Sequence, residues 1–263
     1  MKQILLAYDG SYFAESAIGE LPRMGLDEDA TILVLVVVPA GASPEDLDKA
    51  EKQSEHVVQT IHSLLPQIQT DRRIVGGDAA DVILRVAASQ RADLIIMGAH
   101  SKSALERIFF GSVSTKVATE AACSVRICRA HREPGFQHLR LTLAIDGSEQ
   151  SETATAKTMS RPWPKGTGIH VVTVADPKAG GFSPILQDKV TMLAGQLNTA
   201  GYHAFATVLE GEPAKALLKH SETWAPHCIL LGSRGLEHGE TRPLGSLATE
   251  LVKHAGCHVE VIR

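Results

Sequence analysis

Two stretches of the chain carry residue types suited to holding a polyphosphate. The first is Gly98-x2-Ser101-x9-Gly111-Ser112, after the apolar run Asp93 to Met97; the second is Gly232-x2-Gly235-x9-Gly245-Ser246, after Cys228 to Leu231. Glycines at a strand end, followed by glycine-serine at a helix start, let backbone amides wrap an anion where the helix dipole favours it. Gly232 and Gly235 are expected to supply positive φ and close backbone approach. Arg234, His238 and Arg242 add cations to the second loop, with Glu237 and Glu240 opposing them. In the first loop Ser101 replaces the second glycine, while Lys102 and Arg107 offer cations. A serine at a position needing φ > 0 costs roughly 1 kcal/mol, so the first loop is expected to be the weaker or altered site.

Asp9 and Asp146 form the second constellation. Each follows an apolar run and precedes Gly-Ser. A carboxylate at the end of the first strand of a parallel sheet lies beside the ligand crevice, where it can meet a ribose hydroxyl or a magnesium ion on phosphates. Aspartate and serine are also good helix N-caps, and Asp9 and Ser11 could divide the two roles.

Other chemistries find less support. The twelve histidines include His220, His227 and His254, the last near Cys257, but no His-x3-His or Cys-x2-Cys pair stands in a metal-binding context. Cys123 and Cys257 occupy equivalent places before a terminal strand, the setting of a small buried thiol. There is no Gly-x-Ser-x-Gly elbow, no Gly-x4-Gly-Lys-Ser/Thr loop, and no Gly-x-Gly-x-x-Gly after a first strand.

The elements that must position these residues occur twice. Leu6-Ala-Tyr-Asp-Gly-Ser11 returns as Leu143-Ala-Ile-Asp-Gly-Ser148. Asp9 and Asp146 are 137 residues apart, whereas Gly98 and Gly232, Gly111 and Gly245, and Cys123 and Cys257 are each 134 apart. The second copy is therefore three residues shorter between its motifs and in register afterwards, as expected of a duplicated domain. The 263 residues suit two domains of roughly 130. We place them at 1–133 and 138–263, with a linker over 129–137 that contains Pro134 and Gly135.

Alternating apolar runs and helical segments predict strands at 3–8, 31–38, 71–76, 93–98, 124–129, 140–145, 168–174, 203–209, 228–232 and 258–262. Helices are expected at 12–24, 45–66, 79–90, 112–122, 149–160, 184–200, 213–224 and 246–255. Each half then reads as an α/β domain, a five-stranded parallel sheet with helices on both faces, whose ligand sits at strand C-terminal ends. A net charge of -4 argues against a protein that coats nucleic acid. The longest apolar stretch, 32–39, is too short to span a membrane. The lack of a signal segment and four cysteines without metal spacing point to a reduced, cytoplasmic setting.

On these motifs the chain resembles the universal stress protein family, as a tandem member with two such domains. The resemblance implies a Rossmann-like fold whose last strands, 124–129 and 258–263, pair to form an internal pseudo-dimer, with a further homodimer and an unidentified protein partner open. It also implies ATP, with Mg2+, as ligand. The loop would hold the phosphates, the strand-one aspartate would lie near ribose or metal, and a strand-two backbone residue would meet adenine. Carried over, the second domain offers Asp146, Val174, Gly232, Gly235, Gly245 and Ser246. The first offers Asp9, Val37, Gly98, Gly111 and Ser112, with Ser101 departing from the pattern. The expectation is a stress-response protein that binds ATP mainly through its second domain and acts as a nucleotide-dependent switch, with no dedicated catalytic activity. The alternatives are a slow Mg-dependent ATPase and a nucleotide-free interaction module.

Overall fold

A computed structural model of the chain describes residues 1–99, 111–129, 138–235 and 244–263. Ser101, Lys102, Arg107, Glu237, His238, Glu240, Arg242 and linker positions 130–137 lie outside the described residues. The chain divides into two compact units, Met1–Ala130 and His131–Arg263.

In the first unit, strands β1 (Gln3–Tyr8), β2 (Thr31–Val38), β3 (Gln69–Gly76), β4 (Leu94–Gly98) and β5 (Ser124–Cys128) alternate with helices α1 (Tyr12–Glu20), α2 (Pro44–Leu64), α3 (Ala79–Ser89) and α4 (Ser112–Glu120). The strands lie in the order β3-β2-β1-β4-β5, all parallel. Central strands of such a sheet are covered on both faces, which is why Ile-Leu-Val runs rather than alternating ones form β1, β2 and β4. Ile4, Leu6, Ile32, Val34, Leu94 and Ile96 face α1 and α2, meeting Ala14, Ile18, Val57 and Ile61. The opposite pleat, including Leu5 and Leu35, faces away from that cluster, on the side of α3 and α4. The sequence expectation ran α1 on to residue 24. Instead it ends at Glu20 and tightens into a 3-10 turn over Leu21–Arg23, because Pro22 has no N–H to continue the ladder.

The second unit repeats the pattern with β6 (Arg140–Ala144), β7 (Gly168–Ala175), β8 (His203–Glu210), β9 (Cys228–Gly232) and β10 (His258–Ile262). Its helices are α5 (Glu149–Met159), α6 (Pro184–Thr199), α7 (Pro213–Trp224) and α8 (Ser246–His254). The order is β8-β7-β6-β9-β10, again parallel. Chain succession runs outward from β6 to β8, then returns to β9 on the other side of β6. The strand order therefore reverses between β6 and β9, the place where α/β sheets open a crevice.

Polar side chains replace apolar ones at several core positions of this second copy. Arg161, where the first copy has Met24, makes a two-pronged ion pair with Glu260 of β10, and both side chains are buried. The Arg161 guanidinium also lies 5.3 Å from the Trp163 ring. A buried pair of this kind adds little net stability when intact, but losing one member strands a charge. Arg161→Met, the residue of the first copy, is expected to destabilise the chain by roughly 3 kcal/mol in urea unfolding. A loss below about 0.5 kcal/mol, ordinary for a surface site, would contradict that reading.

Candidate functional site

The Asp-Gly-Ser turns are built alike in the two units. Asp9 Oδ1 accepts the Ser11 N–H at 3.0 Å, and Ser11 Oγ caps α1 by accepting from Ala14 N at 3.2 Å. Asp146 Oδ1 accepts both the Ser148 N–H at 3.0 Å and its hydroxyl at 2.6 Å, while Ser148 Oγ caps α5 through Ser151 N at 3.2 Å. Serine is thus the cap, and the aspartate closes an Asx turn at the strand end. Gly10 and Gly147 hold that turn with φ of 73° and 84°, a conformation that favours glycine. Asp9 is exposed and Asp146 half-buried.

The loop glycines depart from the expectation of positive φ. Gly98, Gly111, Gly232, Gly235 and Gly245 all keep φ outside the left-handed region. What Gly98, Gly232 and Gly235 provide is room. A Cβ on Gly232 would stand 2.7 Å from the Gln150 carbonyl carbon, and one on Gly98 would stand 2.9 Å from Phe13 Cβ. Both glycines therefore let a strand end press onto the first turn of the helix after the aspartate. A Cβ on Gly235 would lie 2.5 Å from Asp146 Oδ2, so the loop passes directly over the carboxylate.

Gly245 and Gly111 are the N-caps of α8 and α4, and neither helix start has a side-chain cap, unlike α1, α2, α3, α5 and α6. Gly245 N–H is occupied by Ser233 O at 2.8 Å, and the first closing bond of α8 runs from Thr249 N to Gly245 O at 2.9 Å. The amides of Ser246, Leu247 and Ala248 are left without an acceptor among the described residues. Three unpaired amides at the positive end of a helix dipole attract an anion. Ser246 and Ser112 are exposed at these starts.

Val174 stands near the end of β7, and its backbone faces the end of β6. Ile145 N donates to Val172 O at 2.8 Å, and Gly211 N donates to Ala175 O at 3.1 Å. Peptide groups of alternate strand residues point to opposite sides, so those of Val174 point the same way as Val172, toward β6. Because β6 has already ended at Ala144, they are aimed past it toward Asp146. Val37 is placed in the same way beside the end of β1, since Gly77 N takes Val38 O on the other side at 2.9 Å.

Asp146, Val174, Gly232, Gly235, Gly245 and Ser246 thus occupy one end of the second sheet, at the ends of β6, β7 and β9 and the start of α8. Asp9, Val37, Gly98, Gly111 and Ser112 occupy the corresponding end of the first. Two clefts open elsewhere. One of about 440 Å3 lies beside Glu51, Arg72, Arg73 and Ile74. The other, of about 300 Å3, lies between Glu149, Gln150 and Thr153 of α5 and Ser233, Arg234, Ile262 and Arg263. The second borders the loop through Arg234 but contains none of the predicted ligand residues.

Sequence reasoning missed a contact next to Asp9. The Tyr8 hydroxyl donates to Glu15, and burial, reinforced by that carboxylate, raises the phenol well above its ordinary pKa. Tyr8 therefore stays protonated and serves as a donor. The second copy has Ile145 there, and its Glu152 pairs with Lys189 of α6 instead. Cys257 is buried, as the sequence suggested, whereas its counterpart Cys123 is only half-buried. His227 is placed structurally, its Nδ1 accepting from Arg140 N at 3.0 Å. Among the described residues no three His, Cys, Asp or Glu side chains gather as metal ligands, and no helix is long and apolar enough to cross a membrane.

Known proteins agree with this architecture. Residues 1–129 and 139–263 each match the Universal stress protein family. A universal stress protein of Thermus aquaticus is 33% identical over 135 residues, covering 49% of this chain and 98% of that protein. One from Mycobacterium bovis is 28% identical over 193 residues, 68% of this chain and 64% of that protein. The crystal structure of a universal stress protein from Archaeoglobus fulgidus aligns over 99% of this chain and 96% of its own, with a TM-score of 0.71 at 20% identity, a likeness of fold. Two successive matches, each spanning one complete five-stranded unit, make this chain a tandem member of the universal stress protein family.

Proposed function

We propose that this chain is a stress-response protein that binds ATP, chiefly in its second unit, and acts as a nucleotide-dependent switch. The observation that carries the reading is the uncapped start of α8, with the amides of Ser246, Leu247 and Ala248 unpaired among the described residues, at the sheet end that holds Asp146. Phosphates are the natural acceptors for such amides. Asp146 would take a ribose hydroxyl or a phosphate-bound Mg2+, and the peptide groups of Val174 would meet the edge of the base. The residues fit such a ligand in one further respect: the space beside Asp146 depends on Gly235 having no side chain. ATP supplies a polyanion and a ribose diol, and the chain's residues bind and orient it. With Oδ1 of Asp146 taken by Ser148, its carboxylate is better disposed to accept hydrogen bonds than to activate water.

The first unit is proposed as the weaker site. Its aspartate, Asp9, is more exposed, and its sequence has Ser101 where the second copy has Gly235. The demand on that position in the second unit is room beside the carboxylate, which a serine reduces by a Cβ and a hydroxyl.

Isothermal calorimetry on the intact chain tests both parts. We expect close to one equivalent of ATP per chain at low ligand concentration. Asp146→Asn, which removes a charged acceptor, is expected to weaken binding by about tenfold or more. Unchanged affinity would remove Asp146 from the site. Gly235→Ser, which carries the first copy's residue into the second, is expected to weaken binding at least about tenfold, equivalent to 1.4 kcal/mol. Saturation at about 100 times Kd should raise unfolding stability by about 2.7 kcal/mol, and Gly235→Ser should lose about half of that gain or more at the same concentration. ATP that binds Gly235→Ser as tightly as the parent chain would refute the steric part of the proposal.

A further inference from the structure

On the sheet face opposite α5 and α6, the second unit carries two imidazoles where the first is aliphatic. His170 of β7 stands at the place of Leu33, and His220 of α7 at the place of Val86. Their ring centroids are 4.7 Å apart with the planes at 71°, and His170 is 5.1 Å from the Trp224 ring and 6.3 Å from Phe205. His170 Nε2 is tied to Thr207 Oγ1 of β8 at 2.6 Å. Its Nδ1, and Nε2 of His220, are buried without a hydrogen-bond partner among the described residues. These rings are the packing between the C-terminal half of α7 and the sheet.

We propose that the His170–His220 pair is an acid-sensitive latch, which holds α7 on the second unit's sheet at neutral pH and releases it on acidification.

The charges around the pair favour release once a proton arrives. From β6, Arg140 faces the same cluster, its guanidinium 5.1 Å from the Trp224 ring and donating to Ala225 O at 2.9 Å, just past the end of α7. The other β6 residue on this face, Thr142, has a buried hydroxyl with no partner among the described residues. From β8 come Phe205, Thr207 and the exposed His203. On α7 itself, Lys215, Lys219 and Glu222 are exposed to solvent. No carboxylate shifts either imidazole. Burial, followed by the neighbouring His220, pushes His170 down to about 4, and burial also lowers His220. An imidazolium at His170 would therefore sit beside a second histidine, in a cluster that also holds Arg140 through Trp224, with its Nδ1–H facing no acceptor among the described residues.

The sign follows from linkage. Packing favours the neutral rings, so their contribution is complete above the unfolded value of about 6.5 and is lost as pH falls from there toward 4. Over that window the equilibrium for opening α7 should rise by up to about tenfold per pH unit for each proton taken up.

Hydrogen exchange on the intact chain, corrected for the intrinsic pH dependence of exchange, tests the latch. Between pH 7 and 5 the α7 segment, Pro213–Trp224, should lose about tenfold or more of its protection while α3, Ala79–Ser89, keeps its own. His170→Leu with His220→Val, the residues of the first copy, should leave α7 protection independent of pH over that range. An unchanged α7 in the parent chain, an equal loss in α3, or a pH response that persists in the double variant would each overturn the proposal. If the double variant does not fold, imidazole NMR titration of the parent chain decides: His170 and His220 titrating below the ordinary range support the latch, and titration at about 6.5 refutes it.

Discussion

The closeness of each fourth strand to the helix after its unit's aspartate is the constraint on which both candidate sites depend. At Gly232 the backbone of β9 meets the Gln150 carbonyl with no space for a methyl group, and Gly98 meets Phe13 in the same way. That approach fixes where the chain leaves the sheet. It carries the loop over the aspartate turn, so Gly235 lies against Asp146, and it lets Ser233 O hold Gly245 N at the mouth of α8. The anion-attracting helix start and the carboxylate turn are thereby delivered to one point by backbone geometry, with few side chains involved. A parallel sheet makes this economical, because every strand ends on the same side and a reversal of strand order leaves a gap there.

The fold was legible to a high degree because its signals were local and redundant. Strands β1, β2, β9 and β10 match their expected limits; the first three are largely continuous apolar runs, whereas β10 carries His258 and Glu260 between its apolar residues. Asp9 and Asp146 were recognised as strand-end residues from the repeat itself, and the division of roles between aspartate and serine followed from capping chemistry. The outer strand β3 was harder. It is expected at 71–76 but begins two residues earlier, at Gln69, and pairs with β2 across its whole length, because an edge strand can keep charge on both faces. Arg72 there is held by Glu51 at 2.7 Å and Ser54 at 3.1 Å, a partner pair that no spacing in the sequence announces.

What sequence reasoning misjudged was the backbone conformation of the loop glycines, and what their close approach is directed at. Phosphate-loop patterns suggest positive φ, and beside the two aspartates the left-handed glycines are instead Gly10 and Gly147 of the Asp-Gly-Ser turns. The pattern glycines that touch neighbours are constrained by proximity to groups far away in the chain. A φ requirement leaves a trace in adjacent residues, as it did in the turn chemistry of Asp-Gly-Ser. A requirement for space depends on what the fold brings opposite, and it becomes visible only when the opposing group, such as the Gln150 carbonyl or the Asp146 carboxylate, has been placed.

Comparison of the two copies separates what the architecture needs from what each copy does with it. The turn, the packing glycine and the uncapped helix start occur in both, so they belong to the shared frame. Tyr8 against Ile145, Met24 against Arg161, Leu33 against His170 and Val86 against His220 are exchanges of apolar for polar groups at buried or half-buried positions. Such an exchange costs free energy unless the incoming group finds a partner. Tyr8 has Glu15, and Arg161 has Glu260 at two of its three guanidinium nitrogens, leaving its buried Nε without a partner among the described residues. His170 is satisfied at only one nitrogen, and His220 has one buried nitrogen without a partner. An aliphatic pair packs in the same place in the first copy without that deficit. The second copy therefore carries a contact that is weaker than its fold requires and whose strength depends on protonation. That is a physical basis on which duplicated domains of one chain can respond differently to one change in their surroundings.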